Sequence, residues 1–277
     1  MSIDAKIVKE LRDKTGAGMM DCKKALIETN GDFEKAIDVL RKKGQKVAAK
    51  RADRDTSEGV VLALCNENNN VGGLLSLNCE TDFVAKNESF IELAHSILML
   101  ALKNESLDIA SIKSLSFDDG SMSIDDKLVE QTGVIGEKIE LSNYFIIKSD
   151  YVAGYIHPGN KLAALVGFNT VFDGIADFGK NIAMQIAAMN PLGLDEDDLS
   201  EEVINKEIEI GKDLARKEGK PEDMLERIAQ GRLKKFFKEN TLLHQIYIKD
   251  SKLTISEYLK SSGRDVTVVN FKRVNLG

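Results

Sequence analysis

Residues 60–90 read VVLALCNENNNVGGLLSLNCETDFVAKNESF, and this stretch decides the architecture. Two apolar, β-rich runs, Val60–Cys65 and Val71–Cys79, flank the polar segment Asn66–Asn70, which is the pattern of a hairpin with a longer loop. Glu80–Asn87 then breaks the apolar run. From Ser89 onward Phe90, Ile91, Ala94, Ile97, Leu98 and Leu102 return at the 3.6-residue period of a helix with one buried face. Strands that pair through hairpins, with helices following them in blocks, predict an α+β fold with antiparallel sheets.

Upstream, Ile3, Ile7, Val8 and Leu11 fall on one helical face, and Gly16-Ala17-Gly18 ends that run. A second helix is expected over Met19–Glu28 before Asn30-Gly31. Asp32 can cap a third, whose apolar positions Phe33, Ala36, Ile37 and Leu40 share a face before Gly44. Residues 1–54 therefore read as a compact three-helix, UBA-like domain that ends in a basic helical tail and a polar linker. Residues 55–140 read as the first half of a core. Its second half covers 141–198 and 241–277, with strands expected at Ile139–Ile147, Tyr151–His157 and Leu162–Phe168 and a small-residue helix at Phe178–Met189. A weaker helix is expected near Asp125–Gly136. Residues 199–240 hold two charged helices split at Gly219-Lys220-Pro221, an inserted antiparallel hairpin in which Ile204, Ile208, Gly211 and Leu214 face Leu225, Ile228, Arg232 and Phe236.

At 277 residues, with 43% hydrophobic and 30% charged residues, the chain has the composition of a folded protein of several modules. No apolar run approaches the roughly 20 residues that cross a bilayer. The N-terminal segment is amphipathic and charged, unlike a signal peptide, so a cytoplasmic location is expected. The net charge of −7 hides an asymmetry: residues 1–54 carry +5 and the remainder −12. The head's charges alternate in sign and no aromatic stacking set lies near them, so direct nucleic-acid binding is not expected. Cys22, Cys65 and Cys79 show no CxxC spacing, and His95, His157 and His244 are scattered, so neither a disulfide framework nor a metal site is suggested.

Enzyme signatures are missing in the same way. The glycine-rich GAGMM lacks the Lys-Ser/Thr of a phosphate-binding loop and lies between helices, so no nucleotide or other cofactor is expected on this chain. No nucleophile elbow is visible, and no catalytic residue is assigned. Read alone, Phe83 belongs in a core, as most phenylalanines do, although the polar residues around it argue otherwise.

Two segments carry a sharper signal. Leu11–Leu26, LRDKTGAGMMDCKKAL, resembles the N-terminal signature of the elongation factor Ts family, and Leu77–Lys86, LNCETDFVAK, resembles that family's second signature at the expected separation. The resemblance continues through Gly154-Tyr155-Ile156-His157, Ala187–Pro191, the charged hairpin and Gly231–Phe236, and so spans nearly the whole chain. It implies a guanine nucleotide exchange factor that binds elongation factor Tu with GDP and speeds GDP release during translation. In the family the Thr-Asp-Phe loop inserts into the partner's GTPase domain. Those roles fall on Thr81, Asp82, Phe83 and Val84, with Phe83 as a wedge that disturbs the nucleotide's Mg²⁺. The head touches the same partner domain, which makes Arg12, Met19 and Met20 candidates for the docking surface. The alternative for either methionine is packing beneath its own loop. His157 is a further candidate in the second half.

Two departures qualify the match. Ser76 stands where the family often has glutamate, and the sequence stops soon after Phe271-Lys272-Arg273-Val274, whereas some members continue into a C-terminal helical module. A contact through that module is expected to be missing. The hairpin is open to three roles: homodimer contact, docking on elongation factor Tu, or projection into solvent. Two competing functions remain, a helical adaptor acting through the head alone and a thiol enzyme using Cys79 beside Asp82.

Overall fold

The computed structural model describes residues 3–117 and 122–276. The chain opens with α1 (Ala5–Thr15), α2 (Met19–Glu28) and α3 (Phe33–Lys50). Asp4 and Asp32 cap α1 and α3 by accepting from the Lys6 and Lys35 amides. Gly16, at φ 68°, closes α1 in the left-handed conformation that glycine adopts without strain. The three helices bury Val8, Leu11, Cys22, Ala25, Leu26 and Ala36 against one another.

β1 (Glu58–Cys65) and β2 (Val71–Cys79) form the hairpin, with Glu58 opposite Cys79 and Cys65 opposite Gly72. A single helical turn, α4 (Asp82–Ala85), leads into α5 (Glu88–Lys103) and α6 (Ile109–Ser114). The short pair β3 (Ser116–Phe117) and β4 (Met122–Ser123) precedes α7 (Ile124–Ile135). β5 (Glu140–Lys148) then joins the free edge of β2, so the first sheet has the order β1-β2-β5. The sequence grouped most of this strand with the half beginning at 141; its hydrogen bonds put it in the first sheet.

β6 (Tyr151–Ile156) and β7 (Leu162–Phe168) are followed by α8 (Ile175–Met189). α9 (Glu201–Lys217) and α10 (Glu222–Asn240) form the helical hairpin. β8 (Ile246–Tyr247), β9 (Asp250–Thr254), α11 (Ile255–Ser261) and β10 (Val268–Asn275) complete the chain, with β10 pairing β7 to give the order β10-β7-β6. All of these pairings are antiparallel, and the fold is α+β.

The two three-stranded sheets stack face to face between outer helical layers. Alternation along β1 explains how: Val60 and Leu62 point into the core shared with α5 and α7, while Val61 and Ala63 point at Val152, Ala163 and Leu165 of the second sheet. The second sheet's far face, with Ala153, Ala164, Val166 and Phe168, packs on Ile182, Ala183 and Ile186 of α8. Every residue of β2 is buried, the polar Ser76 and Asn78 among them, so the strand shows no alternation between a buried and an exposed face. Its glycines set the layer spacing, since a Cβ on Gly72 would lie 2.5 Å from Val152 and one on Gly73 2.8 Å from Leu98.

Three sequence expectations change. The basic helical tail expected after Gly44 is not a separate piece: α3 runs unbroken through Gly44 to Lys50, and Gly44 lies against Gly133 of α7. α4 replaces the polar loop expected at 80–87. In the hairpin, α10 is rotated by about one residue from the expected face: Leu225, Ala229, Leu233 and Phe237 are buried, while Arg232 and Phe236 lie at the flank and Leu214 is exposed. The small pair Gly211 and Ala229 permits that rotation, because a Cβ on Gly211 would stand 3.1 Å from the Ala229 backbone.

Candidate functional site

β2 delivers the chain to the site. Its ladder ends where Asn78 faces Glu140 and Cys79 faces Glu58, so the amides of Glu80 and Thr81 leave the sheet without strand partners. Both find the carboxylate of Glu137, in the turn between α7 and β5, at 3.2 and 3.0 Å. The Thr81 hydroxyl donates to the other Glu137 oxygen at 2.7 Å. Glu80 reciprocates: its carboxylate accepts the Lys138 amide at 2.6 Å and the Arg51 guanidinium at 2.8 Å. Two turns distant in sequence thus hold each other by exchanging side-chain acceptors for backbone donors, and Arg51 ties the end of α3 to the same point. Glu80 is 16% exposed at its side chain. Burial opposes its charge, but the Lys138 amide and the Arg51 guanidinium outweigh it and hold the carboxyl below its ordinary value.

On this base stands α4. Ala85 is buried and Val84 packs on the first core, so the turn is anchored on one side. Phe83 points the other way and is 84% exposed, the most exposed large apolar side chain among the described residues. Asp82 pairs with Lys86 at 2.6 Å, and that hydrogen bond chiefly lowers its pKa. Beneath the turn, Cys79 donates to the Thr81 carbonyl at 3.2 Å. Burial, and then the negative charge of Glu137, push its thiol up to about 12. A group so reluctant to ionise, beside an Asp82 already engaged by Lys86, is not set up as a nucleophile.

The remaining candidates lie outside the loop. Met19 and Met20, in the first turn of α2, are 45% and 63% exposed and do not pack beneath their own loop; Arg12 on α1 is exposed too. His157 is exposed at the end of β6, with its Nδ1 3.0 Å from the Tyr155 hydroxyl. The turn that follows bonds β1, the Val61 amide donating to Asn160, and Lys161 pairs with Glu58 at 2.7 Å. Because Glu58 faces Cys79 and Lys161 also acts on Asp82, the His157 turn shares the loop's end of the core. Thr81 to Val84 are brought together on one turn, whereas Arg12 lies on α1 and Met19 and Met20 on α2 of the head.

Glu137, Glu80 and Arg51 are the site residues that sequence reasoning passes over. Glu137 follows the helix-closing Gly136, an ordinary place for a solvated carboxylate, and nothing local connects it to a threonine 56 positions earlier. Ser76, the departure in the second signature, is fully buried in β2 and accepts from Asn143, so it presents nothing to a partner.

Comparison with known proteins agrees with the loop's signature. The sequence model of the family described as Elongation factor TS matches residues 80–277. The chain is 54% identical to Elongation factor Ts of Christiangramia forsetii over 275 residues, 99% of each sequence. It is 50% identical to that of Flavobacterium psychrophilum, covering 100% of this chain and 99% of the relative, and 46% identical to that of Porphyromonas gingivalis with the same coverage. With the family model covering more than half the chain and these relatives aligned nearly end to end, the chain belongs to the elongation factor Ts family.

Proposed function

We propose that the chain is a guanine nucleotide exchange factor that binds elongation factor Tu carrying GDP and promotes GDP release, so that GTP can bind during translation elongation. The observation that carries this reading is Phe83, 84% exposed on a turn that is otherwise anchored. Leaving an aromatic in water forgoes about 1.5–3 kcal/mol of burial, and a partner's pocket recovers it. Phe83 acts as the wedge and Asp82 accompanies it, exchanging Lys86 for a group on the partner. Thr81 and Val84 hold the turn. Displacing the elements around the partner's Mg²⁺ loosens the nucleotide, since this cation tolerates distorted octahedral geometry poorly.

Arg12, Met19 and Met20 supply a second contact from the head, residues 1–54, where flexible methionines suit a docking surface. His157 adds a contact beside the loop. The chain needs no cofactor, metal or chemical active site for this work, and it acts in the cytoplasm without binding nucleic acid or membrane. No helix among the described residues is long and apolar enough to cross a bilayer. The hairpin at 199–240 offers a homodimer contact along Ile210 and Leu214, both 40% exposed, and sedimentation of the full chain tests that contact.

Linkage fixes the energetics: the factor weakens nucleotide binding by the same ratio as nucleotide weakens the factor. It therefore speeds the trade of GDP for GTP without changing the final ratio, which the nucleotide pool sets. The test is release of fluorescent GDP from elongation factor Tu, with excess unlabelled nucleotide and a sub-stoichiometric amount of this protein. Acceleration with turnover supports exchange. No acceleration with a folded chain and a matched partner overturns it in favour of the adaptor acting through the head.

A further inference from the structure

An exposed side chain on a one-turn helix has little packing to fix it, so the presentation of Phe83 depends on how the backbone beneath it is held. α4 has no capping hydrogen bond from its own N-cap residue: the Thr81 hydroxyl is spent on Glu137. The donors that open the turn, the amides of Glu80 and Thr81, also go to Glu137. One carboxylate therefore receives three donors and ties down the two residues that lead into α4, reaching the N-cap amide from outside the helix as the second arm of a capping box does from within it. From this geometry we infer that Glu137 is a positioning residue for exchange, presetting the 80–85 turn so that Phe83 meets elongation factor Tu with its backbone already ordered.

The inference rests on the exchange reading above. α7 makes the arrangement more than a local tie. At Gly133 it crosses α3 with the two glycine backbones in contact, and its Val134 packs into the head's core. Two residues past its end, Glu137 holds the loop. A single short segment, 133–137, thus fixes both the head and the loop, with Arg51 and Glu80 closing the connection from the other side. Preorganisation of this kind lowers the ordering cost at the moment of binding. Loss of Glu137 then acts mainly on the concentration of factor needed, because only a fraction of molecules presents the competent turn.

The full-length wild type, Glu137→Ala, Glu137→Gln, Phe83→Ala and the Phe83→Ala/Glu137→Ala double variant are compared by GDP release and by amide exchange of the free protein. Glu137→Ala is expected to raise the half-saturating factor concentration by about tenfold, the change that loss of a charge-assisted hydrogen bond brings, with a smaller effect on the saturating rate. Glutamine keeps one oxygen for the two amides and offers its NH₂ to the Thr81 oxygen, so it restores exchange to within about threefold. In the Phe83→Ala background Glu137→Ala adds little. Amides of 81–86 exchange faster in Glu137→Ala while those of β2 and α5 keep their protection.

Wild-type exchange kinetics in Glu137→Ala, or unchanged protection at 81–86, would overturn the inference. So would protection lost throughout the core, which marks a structural role only, or a glutamine variant as defective as alanine. If the wild type itself does not accelerate release, the exchange reading fails and takes the inference with it. In that case the amide arm still tells whether Glu137 holds the turn.

Discussion

Gly44 of α3 and Gly133 of α7 meet backbone to backbone: a Cβ added to Gly133 would lie 2.4 Å from the Gly44 Cα, well inside any real contact. Both glycines sit within helices, where alanine is ordinarily the better residue by about 1 kcal/mol. At this crossing the sign reverses. Gly133→Ala must push α3 off α7, and overpacking of this kind costs about 1–3 kcal/mol, more than the propensity gain. Denaturant unfolding is expected to show net destabilisation, with the largest loss of amide protection in α1, α2 and α3. A Gly133→Ala protein more stable than the wild type would show that the two helices do not meet in solution as they do here.

Phe83→Ala separates stability from function. Its ring is 84% exposed, so removing it is expected to change unfolding free energy by no more than about 0.5 kcal/mol. In GDP release the same variant is expected to lose about 30-fold or more, the cost of an interface anchor at ~2 kcal/mol. Unfolding and nucleotide release on one preparation check both halves. An unchanged release rate in the folded variant removes the wedge.

The three cysteines should be poor nucleophiles in the folded protein. Burial raises the Cys65 thiol to about 11 and, helped by Glu137, the Cys79 thiol to about 12; Cys22 is raised as well, again chiefly by burial. Alkylation of Cys65 and Cys79 at pH 8 is expected to proceed at roughly a hundredth of the free-cysteine rate or less, and that of Cys22 more slowly than free cysteine, since the thiolate is the reacting species. Unfolding should release all three at once. Rapid labelling of native Cys79 would revive thiol chemistry beside Asp82.

The sequence reveals periodicity well and long-range closure poorly. The hairpin of β1 and β2, the helix α5 and the strand β7 are written in local runs of apolar residues, and their bounds fall within a residue or two of expectation. Gly44 reads as a boundary between the third helix and its basic tail, because a glycine that interrupts a helix and one that admits a neighbouring helix look alike until Gly133 is placed beside it. Phe83 is half legible: aromatic character argues for a core, and the polar residues around it argue against. Its exposure follows from Val84 and Ala85 taking the buried side of the turn. Glu137 is illegible for a plainer reason, since no local rule pairs a carboxylate with donors more than fifty residues earlier.

Acid should loosen the loop through Glu80. Its folded pKa is depressed, because the Lys138 amide and the Arg51 guanidinium outweigh the opposing effect of burial, with Arg54 adding a smaller pull. A carboxyl with a depressed folded pKa contributes stability that is fully present above its unfolded value, about 4.3, and is lost as pH falls through the lower folded value. Asp82 is depressed too, by Lys86, but that pair is open to solvent and screened, so it contributes little. Unfolding free energy followed from pH 7 to pH 3 is therefore expected to fall more steeply below about 4.3 in the wild type than in Glu80→Gln. The difference between the two should be flat above pH 5. The Lys138 amide, 2.6 Å from Glu80, should lose protection over the same window once the intrinsic pH dependence of exchange is removed. Parallel curves for the two proteins would mean that Glu80 is no better held in the folded chain than in the unfolded one, and that the join between α3 and the loop carries no charge-dependent strength.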